Sequence, residues 1–247
     1  MRILVINPNS TASMTARIAA AARAAAAPGT EIEAANPSDG PVSIEGRYDE
    51  AFAVPGLLRL VRAGERRGID GYVIACADDI GLAAAREIAR GPVVGHTEAA
   101  ALLAGRIAGG FSIVTTLSRS LPVFHELMQR YGTAPLCRSV RASDIPVLEL
   151  ENPASDARAR LSREIELAVR EDGAEAILLG CAGMVDLAAE LSADFGLPVI
   201  DGVSAAVKLV EALVGLGLAT AKAGALAWPR VKDYKGAFAD DAPTTAG

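Results

Sequence analysis

The chain has 247 residues, 51% of them hydrophobic but only 4% aromatic, and a formal net charge of −6. That length suits one large domain or two lobes of about 120 residues, and the acidic balance argues against a nucleic-acid face. A membrane span would need about 18 apolar residues free of charge, and none is present; Met1-Arg2 runs straight into a strand pattern with no secretory leader, so a reducing, cytoplasmic location is expected.

In chain order, residues 2–7 (RILVIN) predict a first strand, and the polar turn Asn7-Pro8-Asn9-Ser10-Thr11 leads into a helix over 12–26. A short strand follows at 31–35, then a Pro/Gly/Ser-rich loop over 36–49, whose length suggests a place near a site. Residues 50–67 predict a helix that Pro55-Gly56 breaks or kinks near its start. Residues 71–76 read as a buried strand, 80–90 as a helix, 92–95 as a strand and 97–108 as a helix. The second half repeats the alternation: strand 111–115, helix 121–131, strand 138–142, helix 154–171, strand 174–180, helix 185–195, strand 198–200 and helix 204–216. Beyond 221 the pattern weakens; Trp228 is expected to dock the tail, and 237–247 to fray. Strands alternating with helices predict an α/β fold of right-handed βαβ units with parallel sheets.

Two segments organise this pattern. Residues 71–77 (GYVIACA) and 174–184 (AEAILLGCAGM) are apolar runs that each end in a cysteine, Cys76 and Cys181, 105 positions apart. Pro92-Val93-Val94 and Pro198-Val199-Ile200 match at an offset of 106. An offset that holds to one residue points to internal duplication, hence two similar lobes with equivalent strand ends meeting in a cleft. The chain has three cysteines, and Cys137 has no counterpart, so it is expected to be structural.

A pair of thiols on opposite sides of a substrate suits proton transfer at carbon. One thiolate removes a proton from one face and the opposing thiol returns one to the other. Backbone N–H groups in the turns after the strands would stabilise the enolate, and Gly180, Ala182 and Gly183 allow close approach. The alternative is two small, inert core side chains. A two-lobed binding protein with incidental cysteines is the non-enzyme reading.

Asn7, Asn9, Ser10 and Thr11 follow the first strand, and Thr115 and Thr116, with Ser118, follow its counterpart. They are candidates for the polar edges of a small ligand, although turns and caps need the same residue types. His96 at a strand end could serve as a base or an orienting group, whereas His125 within a helix reads as a surface residue. Glu98 could orient Cys76 or cap its own helix. Asp78 and Asp79 are read as caps of the helix from Ile80, because a free carboxylate beside a thiol would raise its pKa. There is no GxGxxG after the first strand, no phosphate-binding GxxxxGKS/T and no zinc-ligand spacing, so neither a nucleotide nor a metal is called for.

INPNST (6–11), VIAC (73–76), PVVG (92–95), FSIVTTL (111–117), PVLELE (146–151), EDGAEAILLGCAGM (171–184) and PVIDGVSAAVKLVEAL (198–213) resemble hydantoin racemase, of the aspartate/glutamate/hydantoin racemase superfamily and close to its allantoin branch. The resemblance runs from about residue 2 to 230. It implies a pseudo-twofold, two-lobed α/β fold with a cleft site, no cofactor, a homo-oligomer, and two catalytic cysteines mapping onto Cys76 and Cys181. It also implies C-terminal helices packed on the first lobe, which places that lobe at 1–97 plus about 205–247 and the second at 98–204. The expected substrate is a 5-substituted hydantoin, with allantoin as the alternative. Ala77 stands where relatives often carry an aromatic residue and His96 where an apolar or small one is usual; Ala77 is expected to line the pocket and leave room for a bulky 5-substituent.

Overall fold

In a computed structural model, which describes residues 1–152 and 154–244, the apolar runs become parallel strands of two four-stranded sheets. The first sheet holds β1 (Arg2–Ile6), β2 (Glu31–Ala35), β3 (Gly71–Ile74) and β4 (Val93–Gly95), in the order β2-β1-β3-β4. The second holds β5 (Phe111–Thr115), β6 (Cys137–Ala142), β7 (Ala176–Gly180) and β8 (Val199–Ile200), in the same order, β6-β5-β7-β8. The repeat seen in the sequence is thus a repeat of topology. The inner strands β3, β5 and β7 are buried throughout, as expected of parallel strands covered on both faces by helices.

The helices are α1 (Ala12–Ala25), α2 (Arg47–Arg66), α3 (Leu82–Ile88), α4 (His96–Ile107), α5 (Leu121–Tyr131), α6 (Ala157–Asp172), α7 (Ala188–Phe195) and α8 (Gly202–Gly215). Pro55 neither breaks nor delays α2, which begins eight residues before it. Ala53, Leu57 and Val61 are fully buried with Leu4, Ile6 and Ile74 of the sheet, and that burial outweighs the one intrahelical bond a proline removes. Helix α3 starts later than the sequence suggests, because Asp79 and Gly81 adopt left-handed conformations, φ 48° and 63°. Residues Ala182–Leu187 likewise form a 3₁₀ turn before α7.

Helix α8 returns to the first sheet: Val203, Ala206, Val207 and Val210 share a core with Ile3, Val5, Val73 and Ile18. Helix α4 faces the second: Ala100, Ala101 and Ala104 are buried with Phe111, Ile113 and Leu178. The tail is better anchored than expected. Asp241, at the end of a 3₁₀ turn, accepts hydrogen bonds from Nε and Nη2 of the Arg59 guanidinium. The Lys222 ammonium lies 4.2 Å from the Trp228 ring centroid. The last part of the segment expected to fray, 245–247, lies outside the described residues. No helix among the described residues is long and apolar enough to cross a membrane.

Candidate active site

Parallel strands present their C-terminal ends on one edge, and in both sheets the crevice lies between the two central strands. Those crevices meet. Cys76 follows β3 and Cys181 follows β7, and together they line one cavity of about 40 Å³. All three cysteines are unbridged. The Asp78 N–H serves the Cys76 sulfur, and the Gly183 N–H serves Cys181. Each thiol therefore receives the amide two residues further along, as the 105-residue repeat requires. These bonds favour the thiolates, but burial outweighs them: Cys181 is pushed up to about 11, and Cys76 is raised well above the usual thiol range. Asp78 raises both further, and the charge of Cys181 is felt at Cys76. Cys137, which burial also pushes up to about 11, bonds the Ser139 carbonyl and does not line the cavity.

Asn9, Ala77, Thr115, Thr116, Ala182 and Gly183 line this cavity. The Asn7 side-chain amide donates to Asn9 Oδ1 at 2.9 Å and to Thr15 Oγ1 at 3.0 Å, which fixes both asparagines at the end of β1. Thr115 Oγ1 donates to the Gly180 carbonyl at 2.9 Å, clamping β5 to β7 directly beneath Cys181. A Cβ on Gly180 would lie 2.7 Å from that of Thr115, so this clamp requires glycine there.

Ser10 and Thr11 do not line the cavity. Their hydroxyls donate to Pro41 O at 3.2 Å and Val42 O at 2.7 Å. They hold down the long loop, which in turn brings Ile44 to the cavity wall. His96 is buried behind the site, at the first turn of α4, with neither ring nitrogen hydrogen-bonded among the described residues. Burial lowers its pKa to about 4, so it is neutral there. A side chain on Gly202 would collide with its ring, which places His96 at the α4–α8 packing rather than on substrate. Glu98 accepts from Gly95 N at 3.2 Å and from Arg86 at 2.6 Å; it caps its helix and does not orient Cys76.

Asp78 and Asp79 do not cap the helix from Ile80. Asp79 accepts from the N–H groups of Thr97 (3.1 Å) and Glu98 (2.8 Å), so it caps α4 instead, and it also accepts from the Tyr131 hydroxyl (2.7 Å). Asp78 faces the cavity. The sequence reading missed it, together with Ile44, Ser120 and Val147, which line the same space, whereas Asn7 was among its candidates and does line it. One signal was available: the offset of 105 aligns Asp78 with Gly183, already a candidate.

Residues 3–210 match the profile of the Asp/Glu/Hydantoin racemase family. The chain belongs to that family. Hydantoin racemase of Rhizobium meliloti is 53% identical to it over 236 residues, 96% of this chain and 98% of the relative. Among solved structures, allantoin racemase from Klebsiella pneumoniae superposes with a TM-score of 0.96 at 52% identity, covering 99% of this chain and all of the other. Allantoin racemase from Pseudomonas fluorescens does so at 0.92 and 43%, covering 96% and all of the other. As a member of this racemase family the chain is an isomerase, and its two-lobed frame is the family's.

Proposed function

We propose that this racemase inverts C5 of 5-substituted hydantoins, with Cys76 and Cys181 as the two bases and no cofactor. One thiolate takes the proton from C5. The electron pair left behind moves into the adjacent ring carbonyl as an enolate. The opposing thiol then delivers its proton to the other face, and the sulfur charges have exchanged. The observation that carries this reading is the pair of thiols at equivalent strand ends on one cavity, each served by the amide two residues on. The lobes follow the strand repeat, 1–97 with about 205–247 and 98–204, so each contributes one base. Asn9, Ala77, Thr115, Thr116, Ala182 and Gly183 would surround the ring, and backbone N–H groups would meet the enolate oxygen.

A second reading is the member of this class with a ureido substituent, allantoin. The polar lining favours it: Asn7, Asn9, Thr116, Ser120 and Asp78 all reach the cavity, and His96 does not.

The test follows one enantiomer of 5-benzylhydantoin, and separately of allantoin, in D₂O by chiral chromatography and mass spectrometry. Decay to the racemate with deuterium at C5 is expected. In Cys76→Ala and Cys181→Ala, inversion should be lost, while each variant still exchanges the C5 proton of one hand. Inversion surviving in either variant would overturn the two-base assignment.

A further inference from the structure

The cysteine cavity has a neighbour. A second cavity of about 340 Å³ lies between α2, the start of α3, and α5, lined by Arg47, Glu50, Val54, Leu82, Val123 and Arg130 among others. Asp78 lines both spaces and stands in the wall between them. No described residue donates a hydrogen bond to its carboxylate. The cation whose charge is felt at Asp78, Arg47, is already engaged: its guanidinium reaches Glu126 at 2.5 Å and Glu50 at 3.8 Å. Asp79 beside it is taken up by the cap of α4. Asp78 is thus a largely buried carboxylate whose acceptors point into open cavity.

We propose that Asp78 reads the C5 substituent, selecting arms that carry two parallel N–H donors, such as a ureido group, over alkyl or aryl arms. This inference rests on the hydantoin reading above and assigns the residue that sets substrate preference within it. A substituent on the ring between the thiols that passes Asp78 enters the larger cavity. A planar arm with two adjacent N–H groups matches the two oxygens of a carboxylate as a guanidinium does. An apolar arm displaces water from the carboxylate and leaves it unanswered, which is how a hydrogen-bonding pocket rejects an analogue lacking the partner. The surroundings agree. Burial and Glu50 hold Asp78 up at about 6 despite Arg47, and its charge raises both thiols. Donors that answer that charge therefore also favour the thiolates.

The experiment compares kcat/KM for racemisation of allantoin and of 5-benzylhydantoin in the wild type and in Asp78→Asn. The ratio of allantoin to the benzyl compound should fall about 10- to 100-fold in the variant, mainly through KM. In the wild type, two methyl groups on the terminal ureido nitrogen should lower kcat/KM, and in Asp78→Asn that penalty should shrink; this comparison needs turnover of ureido compounds only. Wild-type turnover of both substrates with an unchanged ratio in the variant would overturn the role of Asp78 alone. A wild type that racemises neither would overturn the parent reading and this inference with it.

Discussion

Cys76 and Cys181 are raised for the same physical reason, burial in a narrow cleft, and are served by equivalent amides. Burial thus favours the thiol form of both in the resting site, and under the proposed mechanism the thiolate forms once substrate is bound. Another buried titrating side chain is His96, which makes no hydrogen bond through its ring among the described residues. Its contribution to stability has a definite sign. The unfolded imidazole takes up a proton below about 6.5, while the native one stays neutral to about 4, so native stability is lost as pH falls through that window. Asp78 and Asp79, held up at about 6 and about 7, act in the opposite direction over much of the same range. The wild-type profile alone thus mixes the three, and a difference isolates His96. His96→Leu should gain on the wild type by roughly 3 kcal/mol between pH 7 and pH 4, read from urea unfolding at a series of pH values. A constant difference across the series would mean that the ring takes up its proton as readily in the native state as in the unfolded one. His96 also shows where single-residue reading stops. Its place after a strand suggested chemistry, but which side of the strand end it occupies depends on α8, a hundred residues later, closing over it through Gly202.

At the scale of elements, the entry to α4 is built from outside the helix. Gly95 offers no side chain to cap it, and Asp79, 18 and 19 residues before the Thr97 and Glu98 amides, supplies the acceptor. To reach them Asp79 sits at φ 48°, a region that asparagine and aspartate tolerate better than other residues with side chains. Its second oxygen also binds Tyr131 of α5, so one carboxylate joins the turn after β3 to two helices that face the second sheet. Asp79→Ala should cost about 2–3 kcal/mol in urea unfolding, and Asp79→Asn less than half of that. Equal losses would show that charge rather than acceptor geometry holds the joint. The strands were legible in the sequence because burial on both faces leaves unbroken Val, Ile and Leu, and the duplication was legible because its offset survives. The capping was not. A cap that crosses a strand has no spacing signature, and the same Asp-Asp pair just before Ile80 reads as a local cap. The catalytic candidates followed from the repeat itself; the lining contributed by Ile44, Ser120 and Val147 did not, because those residues reach the cleft from loops and turns, where no hydrophobic period marks which side chain faces inward.

For the whole molecule, the question is how a substrate enters. The cysteine cavity of about 40 Å³ is small for a five-membered ring, so binding is expected to part its walls. Among the described residues, ties between the half built on the first sheet and the half built on the second include, besides the Tyr131–Asp79 bond, three near the cleft. Arg47 on α2 pairs with Glu126 on α5. Arg17 on α1 reaches Asp186 at 2.7 Å and the Gly183 carbonyl at 3.1 Å. Glu45, in the loop held down by Ser10 and Thr11, accepts from the Val147 N–H at 3.0 Å. The first is exposed at both ends and contributes little. The second is anchored beside Cys181 and belongs to the floor. The third joins the loop that carries Ile44 to the turn that carries Val147, and both side chains line the cavity. This is the tie that must release, and it can do so without disturbing either sheet, because both partners lie outside the strands. Glu45→Ala should leave the core intact and shift the cleft toward open. Hydrogen exchange should rise at residues 145–149 while β5 and β7 stay protected, and KM should increase roughly 3- to 10-fold with a smaller change in kcat. Faster exchange in β5 or β7 would mean that the loop clasp supports the sheet itself; unchanged exchange at 145–149 would place the opening elsewhere, between the lobes as bodies.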